Sequence, residues 1–306
     1  MATAREVKRR MRSVKNIMQV TRALEATSAS KVRRATQAVM ASRAYTDKAY
    51  QILVNLASTA QPGTALHPML DAKKEPAGNV TIILVTADRG LAGAYNSNIL
   101  RVARQFAHKL GVKVRWVAVG KKGRDLLLRS REEVIGEFTG MPARPTYRDI
   151  RPIVQLVTED YLNNVTGEVY VAYTDFINTL VQSPRLLRLL PLSPTAAAQG
   201  MVDTEFLKQM PVGGDASKQQ YEYEPDPAAI LDEIVPKFVQ MIVLQSVLES
   251  QASEHSARMV AMRNASDAAK DLIGTLQLQY NKARQTGITN EILDIVGGAN
   301  AIQQAT

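Results

Sequence analysis

No glycine precedes Gly63, and all 13 prolines lie between Pro62 and Pro236. In a helix interior these residues cost about 3 (Pro) and about 1 (Gly) kcal/mol. A chain that keeps them out of its ends is free to build long helices there, and the apolar spacing indicates that it does. The C-terminal segment steps through Leu248, Ala252, His255, Met259, Met262, Ser266, Ala269, Ile273, Leu276, Tyr280 and Ala283 in alternating threes and fours. That mean of about 3.5 is the period of a left-handed coiled coil. A matching row runs through Val7, Met11, Val14, Ile17, Thr21, Leu24, Ser28, Val32, Ala35 and Val39. Both rows are rich in Ala, Ser and Thr, so two such helices pair modestly and keep surface for something else.

The first helix is expected from Thr3 to Ser58, with Thr3 and Glu6 at capping-box spacing. It carries the charge of the molecule. The net charge is +9, and residues 1–60 hold 12 Lys/Arg against 3 Asp/Glu, so the remaining residues balance to zero. A basic helix suits nucleic acid, an anionic lipid surface or an acidic protein surface. No aromatic residue precedes Tyr45 to stack on bases, and no helix-turn-helix spacing is visible. The apolar row also runs on without a cleavable spacer, unlike a transit peptide.

The middle of the chain has another grammar. Residues 61–79 read as a Pro/Gly linker. Val80–Val85 is a β-branched run suited to a strand buried on both faces. Helices are expected at Asn96–Leu110, Lys121–Ser130 and Asp149–Leu162, the last with Pro152 in its first turn. Strands are expected at Val112–Val119, Val134–Phe138, Glu168–Phe176 and Arg185–Pro191. This alternation predicts an α/β layer with a mostly parallel sheet. Residues 193–220 show no period and read as an insertion of low order. Tyr223-Glu224-Pro225 reads as extended, and Asp226-Pro227 as the start of the second long helix. Pro236 should kink that helix, Gly287 is a plausible bend, and Gly297-Gly298 should end it. Three divisions follow: 1–60, 61–225 and 226–306. The fold class is α/β, an antiparallel left-handed coiled coil of the terminal helices plus a Rossmann-like α/β domain.

Catalytic signals are scarce. There is no cysteine, and the three histidines, His67, His108 and His255, are scattered. No run of 18 apolar residues occurs, so no direct membrane span is expected. Asp88-Arg89-Gly90-Leu91-Ala92-Gly93 sits between a strand and a helix, where anion sites form, but lacks both phosphate-loop patterns. Asp88 and Arg89 read as a local ion pair capping that turn. The neighbours Glu132-Glu133, Glu159-Asp160 and Asp232-Glu233 would diverge on a helix rather than form acid–base pairs. No cofactor or metal is expected, and no catalytic site of the chain's own.

Four blocks carry a resemblance. They are Thr21-Arg22-Ala23-Leu24-Glu25 with Ser28-Ala29-Ser30-Lys31-Val32-Arg33-Arg34-Ala35, Thr86 to Asn98, Tyr223-Glu224-Pro225, and Glu249 to Ala265 continuing through Tyr280-Asn281-Lys282-Ala283-Arg284-Gln285 to Ile288-Thr289 and Glu291-Ile292. Over nearly its full length the chain resembles the gamma subunits of F-type ATP synthases. The resemblance implies a non-catalytic central-stalk rotor subunit, which couples ion flow through the membrane ring to ATP synthesis or hydrolysis at the beta subunits by rotation. It implies as partners the alpha and beta subunits, the epsilon subunit and the membrane c-ring. The lack of a presequence points to the cytoplasmic side of a bacterial plasma membrane, with this chain peripheral. A basic coiled coil that binds nucleic acid is the alternative, and an α/β enzyme with helical arms a third reading.

The resemblance also implies contact residues. Arg284, Gln285 and Thr289 match positions that contact a beta-subunit loop. Leu24 stands where the family usually has Met. Chloroplast-type members switch through a cysteine pair in an inserted loop, which this cysteine-free chain cannot do. The residues themselves nominate Arg33 and Arg34, as part of the basic surface, and Ile292 and Ile295, on an apolar tip. At 1.5 Å per residue the two helices would be roughly 84 and 105 Å long. The second should therefore overhang the first from about Lys282 to Val296. An apolar collar is expected around that tip.

Overall fold

The computed structural model describes residues 3–59, 67–70, 72–73, 75–192 and 227–305. The expected insertion at 193–220, the Tyr223-Glu224-Pro225 segment, the Asp226 cap and the first part of the linker lie outside the described residues. Two compact units divide the chain: Met1–Ser28 with Met259–Thr306, and Ala29–Arg258. Two helices contribute to both, α1 (Ala4–Thr59) and α5 (Pro227–Ala305).

The larger unit holds β1 (Asn79–Val85), α2 (Tyr95–Leu110), β2 (Lys113–Val119), α3 (Lys121–Arg129), β3 (Glu133–Phe138), α4 (Tyr147–Leu162), β4 (Glu168–Phe176) and β5 (Gln182–Leu190). The sheet order is β3-β2-β1-β4-β5. β1 pairs in parallel with β2 and β4, β2 in parallel with β3, and β5 antiparallel to β4. The β-branched run of β1 is buried on both sides, as expected. Ile82 and Leu84 face a core with Trp116, Ala118, Ile99 and Leu127. Ile83 and Val85 face the opposite core, with Ile150, Ile153 and Val157 of α4 and Phe238, Ile242 and Val243 of α5. Ala35 and Val39 of α1 join this second core beside Leu248 and Ala252.

Two expectations about proline and glycine need correction. Helix α4 begins at Tyr147, because the Thr146 amide and hydroxyl both donate to Asp149 Oδ2 at 2.8 Å. Pro152 is thereby the sixth helical residue, one turn past the position where its missing N–H costs nothing. Gly297-Gly298 does not end α5, which continues to Ala305. A glycine stops a helix when it turns left-handed. Here the good helix formers that follow outweigh about 1 kcal/mol per glycine.

The smaller unit is a helix pair. At its start the Thr3 amide donates to Glu6 Oε2 (3.2 Å), and the Glu6 amide donates to Thr3 Oγ1 (3.4 Å), the expected capping box. Thr21 and Ser266 meet through their hydroxyls at 2.7 Å, both buried. Stepping seven residues in opposite senses from this pair sets Val14 opposite Ile273 and Val7 opposite Tyr280. Every one of these positions is buried or half-buried. One residue of the sequence-derived row is corrected: Ile17 is 54% exposed, and Met18 takes the seam. Both are apolar, and only the heptad phase from Val7 and Val14 separates them.

Candidate interaction surfaces and the occupied crevice

The sheet order has a consequence for chemistry. The chain builds β1, β2 and β3 outward in one direction, then crosses through α4 to β4 on the other side of β1. The gap between the carboxyl ends of β1 and β4 is the switch point at which folds of this class bind ligands. Here α5 occupies it. The Thr174 amide at the end of β4 donates to Ser250 Oγ (3.2 Å), and Ser253 Oγ donates to the Thr174 carbonyl (3.1 Å). Tyr95 at the start of α2 donates its hydroxyl to the Ser250 carbonyl at 3.1 Å. Burial, and to a lesser degree Glu254, pushes the Tyr95 phenol well above its usual range.

The turn after β1 is committed in the same way. The Ala87 amide donates to Asn96 Oδ1 at 2.9 Å, and the Gly123 amide to Thr86 Oγ1 at 2.8 Å. Asp88 accepts from the Lys121 amide (3.0 Å) and the Gly140 amide (2.9 Å), so it caps α3. The expected Asp88–Arg89 ion pair is absent among the described residues; the carboxylate is better served by two fixed amides. Arg258 of α5 closes the group. Its guanidinium reaches the carbonyls of Gly90 (3.2 Å) and Arg89 (3.3 Å) and pairs with Glu254 at 2.7 Å. Four amides around the turn, those of Ala87, Lys121, Gly123 and Gly140, are thus already bonded to side chains of the protein. Gly123 permits the approach, since a Cβ there would lie 2.6 Å from Thr86 Oγ1.

His255, on the seam row, is half-buried and 3.3 Å from Arg258 Nη1 through Nδ1. A guanidinium can only donate, so Nδ1 accepts and the ring is neutral. Burial first, then Arg258 and Lys31, lowers its pKa to about 4.

The residues nominated from sequence fall into two groups. In the larger unit, Arg33 and Arg34 are exposed; Arg34 donates to Ser30 Oγ (3.3 Å), and neither forms an ion pair among the described residues. In the smaller unit, Arg5, Lys8, Arg9, Arg10, Arg12, Lys15 and Arg22 are likewise exposed and form none among the described residues. Leu24 is half-buried. The other five nominated residues lie beyond the helix pairing. The register sets Ala4, the first residue of α1, opposite Ala283, so α5 has no α1 residue beside it from Arg284 onward. Arg284, Gln285 and Thr289 are exposed there, and the Thr289 hydroxyl is turned back onto the Gln285 carbonyl at 3.0 Å. Ile288, Ile292 and Ile295 form one stripe at helical spacing, 47, 54 and 72% exposed, with Leu293 and Val296 beside it.

The docking residues Ser250, Ser253 and Arg258 were not found by sequence reasoning as a site, although all three stand in the fourth block. Their signal was the pair of small polar residues Ser250 and Ser253 on a face other than the seam, together with the stretch 241–250, which is buried all round.

One unit is a helix pair with an uncovered apolar end, the other a dinucleotide-type fold whose ligand crevice is filled by its own helix; the class is that of a scaffold and interaction protein. The family model described as ATP synthase matches residues 3–302. ATP synthase gamma chains of Dehalococcoides mccartyi and Herpetosiphon aurantiacus are 43% and 41% identical, each over 99% of this chain and 100% of the relative. Among solved structures, a chain of the Euglena gracilis mitochondrial ATP synthase, described as OSCP/F1/c-ring, matches with a TM-score of 0.64 at 18% identity, covering 98% of this chain and 94% of its own length. A chain of the same enzyme's rotor matches with a TM-score of 0.60 at 17% identity, covering 93% of this chain and 98% of its own length. This chain belongs to the ATP synthase gamma chain family.

Proposed function

We propose that this chain is the central-stalk rotor subunit of an ATP synthase, turning inside a ring of alpha and beta subunits and linking ion flow to ATP synthesis or hydrolysis there. Family membership over the full length supports the assignment, as do neighbours whose descriptions name a rotor, F1 and a c-ring. The observation that carries the mechanical reading is the tip of α5, where five apolar side chains stand exposed on a helix with no α1 residue beside it. Such a stripe needs a cover. A cover that allows turning is apolar and smooth, because charged or hydrogen-bonded contacts would hold one angle. The exposed cations of α1 suit acidic protein surfaces of the ring, and the larger unit suits contact with an epsilon-type subunit and the membrane ring. Arg284, Gln285 and Thr289 are read as contacts to a beta-subunit loop, and Leu24 as a contact lower on the pair. The chemistry of ATP belongs to the ring. No helix among the described residues is long and apolar enough to cross a membrane. The bacterial relatives favour a peripheral position at the cytoplasmic face of a plasma membrane.

The test is ATP-driven ion pumping by the reassembled complex. Arg33→Glu with Arg34→Glu should lower pumping or assembly while the chain folds normally. Unchanged pumping would remove the electrostatic contact from the account.

A further inference from the structure

Glu249 sits in the first third of α5 with none of its surface exposed. Its Oε1 takes three donors: Gln245 Nε2 at 2.7 Å, Arg43 Nη2 at 3.2 Å and Arg43 Nε at 3.4 Å. Its Oε2 takes none, and Gln245 Oε1, one turn back, is equally without a donor. Four elements contribute titratable groups to the cluster. Arg43 comes from α1 and also lies 3.8 Å from Asp175 Oδ1. Asp175 and Tyr173 come from β4, and Arg185 comes from β5, its Nε 2.9 Å from Asp175 Oδ2. Glu249 comes from α5. The Tyr173 phenol is pushed up by burial, then by Glu249 and Asp175, and stays neutral. Two carboxylates therefore face two guanidiniums, and Arg43 is shared between the carboxylates.

The hydrogen count is the telling point. Two buried acceptors on adjacent turns of one helix both lack a donor, and an unmet buried acceptor is costly. One hydrogen on Oε2 would turn an orphan acceptor into a donor. The electrostatics agree. Burial raises the Glu249 pKa most, Gln245 opposes, Asp175 adds to the rise, Arg43 opposes, and the outcome is about 7.

We propose that Glu249 is a proton-operated latch between α1 and α5. Ionised, it holds the Arg43 guanidinium on α5. Protonated on Oε2, it becomes a donor and releases Arg43 to Asp175. The step moves one proton from water to one carboxylate oxygen and breaks no covalent bond. Arg43 can follow, because its side chain is 37% exposed and Asp175 is already within reach. The grip of α1 on α5 near the strand ends is then one charge-assisted bond weaker in acid than in base.

The experiment uses the full-length chain carrying ¹³C-carboxyl glutamate and ¹⁵N-labelled arginine, titrated by NMR across the neutral range. One glutamate should keep its proton far above its fellows and titrate near pH 7, and Glu249→Gln should delete that signal. The Arg43 Nε resonance should move with the same midpoint. Arg43→Gln should raise the midpoint, because a cation and two donors are lost. Asp175→Asn should lower it, because a like charge is lost. If all glutamates titrate in the ordinary range, the latch does not exist. An Arg43 resonance that stays still through the transition, or neighbour substitutions that fail to move the midpoint in opposite directions, would overturn it equally. These readings stand on the wild type and the two neighbour variants even if Glu249→Gln does not fold.

Discussion

Replacing Ile292 and Ile295 together with alanine should weaken assembly of the complex by about two orders of magnitude and leave the isolated chain as stable as before. Full burial of an isoleucine side chain is worth about 1.5–3 kcal/mol. In the free chain Ile292 is 54% and Ile295 72% exposed, so most of that gain remains to be realised on contact. A covering surface would add roughly 1–2 kcal/mol at each, about 3 kcal/mol together, which is about 100-fold in an equilibrium constant. The helix itself loses nothing, since alanine is the better helix former by a few tenths of a kcal/mol. Aspartate at both positions should cost more, because two carboxylates would then be stripped of water against an apolar surface. The assay compares the affinity and heat stability of the assembled complex with the melting of the isolated chain. Wild-type affinity in the alanine pair would refute the covered tip. Loss of stability in the isolated chain would mean that these side chains fold back on their own helices.

The register predicts crosslinks on a clean background, since the chain has no cysteine: Val14→Cys with Ile273→Cys should form a disulfide, Val14→Cys with Tyr280→Cys should not, and the reverse result would break the antiparallel alignment. Thr21→Val alone should cost about 1 kcal/mol in thermal unfolding by removing the hydroxyl pair with Ser266, and adding Ser266→Ala should recover part of it; strict additivity would show the two are not coupled. Gln285→Ala with Thr289→Ala should lower ATP turnover more than assembly, and unaffected turnover would leave both as solvated surface. Acid dependence has two opposed parts. The unfolded chain protonates His255 from about pH 6.5 downward and the folded chain only near pH 4, so this group lowers stability as pH falls through that window. Glu249, raised from 4.5 to about 7, does the reverse, adding stability as pH falls from about 7 to about 4.5. His255→Gln should therefore expose acid stabilisation and Glu249→Gln acid destabilisation, and identical stability–pH profiles would contradict both.

Much of the fold was legible because it rests on local rules. β4 has the residue bounds that its sequence implied, and the 3–4 row of α5 is buried or half-buried at every position from Met262 to Ala283. The helix-pair phase was less legible, because Ile17 and Met18 are both apolar and a one-residue choice depends on the partner helix. The end of α5 was misread because glycine is a stop signal only when it leaves the helical region. The filled crevice was illegible in kind. Ser250, Ser253 and Arg258 are ordinary helix residues until the fold carries Thr174, Gly90 and Tyr95 to them from 76 to 168 positions away in the sequence. Among the contact residues, the exposed apolar stripe could be argued from spacing alone. The roles of Arg284, Gln285 and Thr289 came only through resemblance, since nothing in their chemistry singles them out.

The most direct test of the central-stalk assignment is purification of the tagged, full-length chain from its own cells under native conditions, with ATP hydrolysis measured in the eluate. The expected result is an ATP-hydrolysing assembly that carries alpha and beta subunits in equal number, as a ring of alternating subunits requires, with more than one of each per copy of this chain. A chain that elutes alone, or with partners that do not hydrolyse ATP, would contradict it.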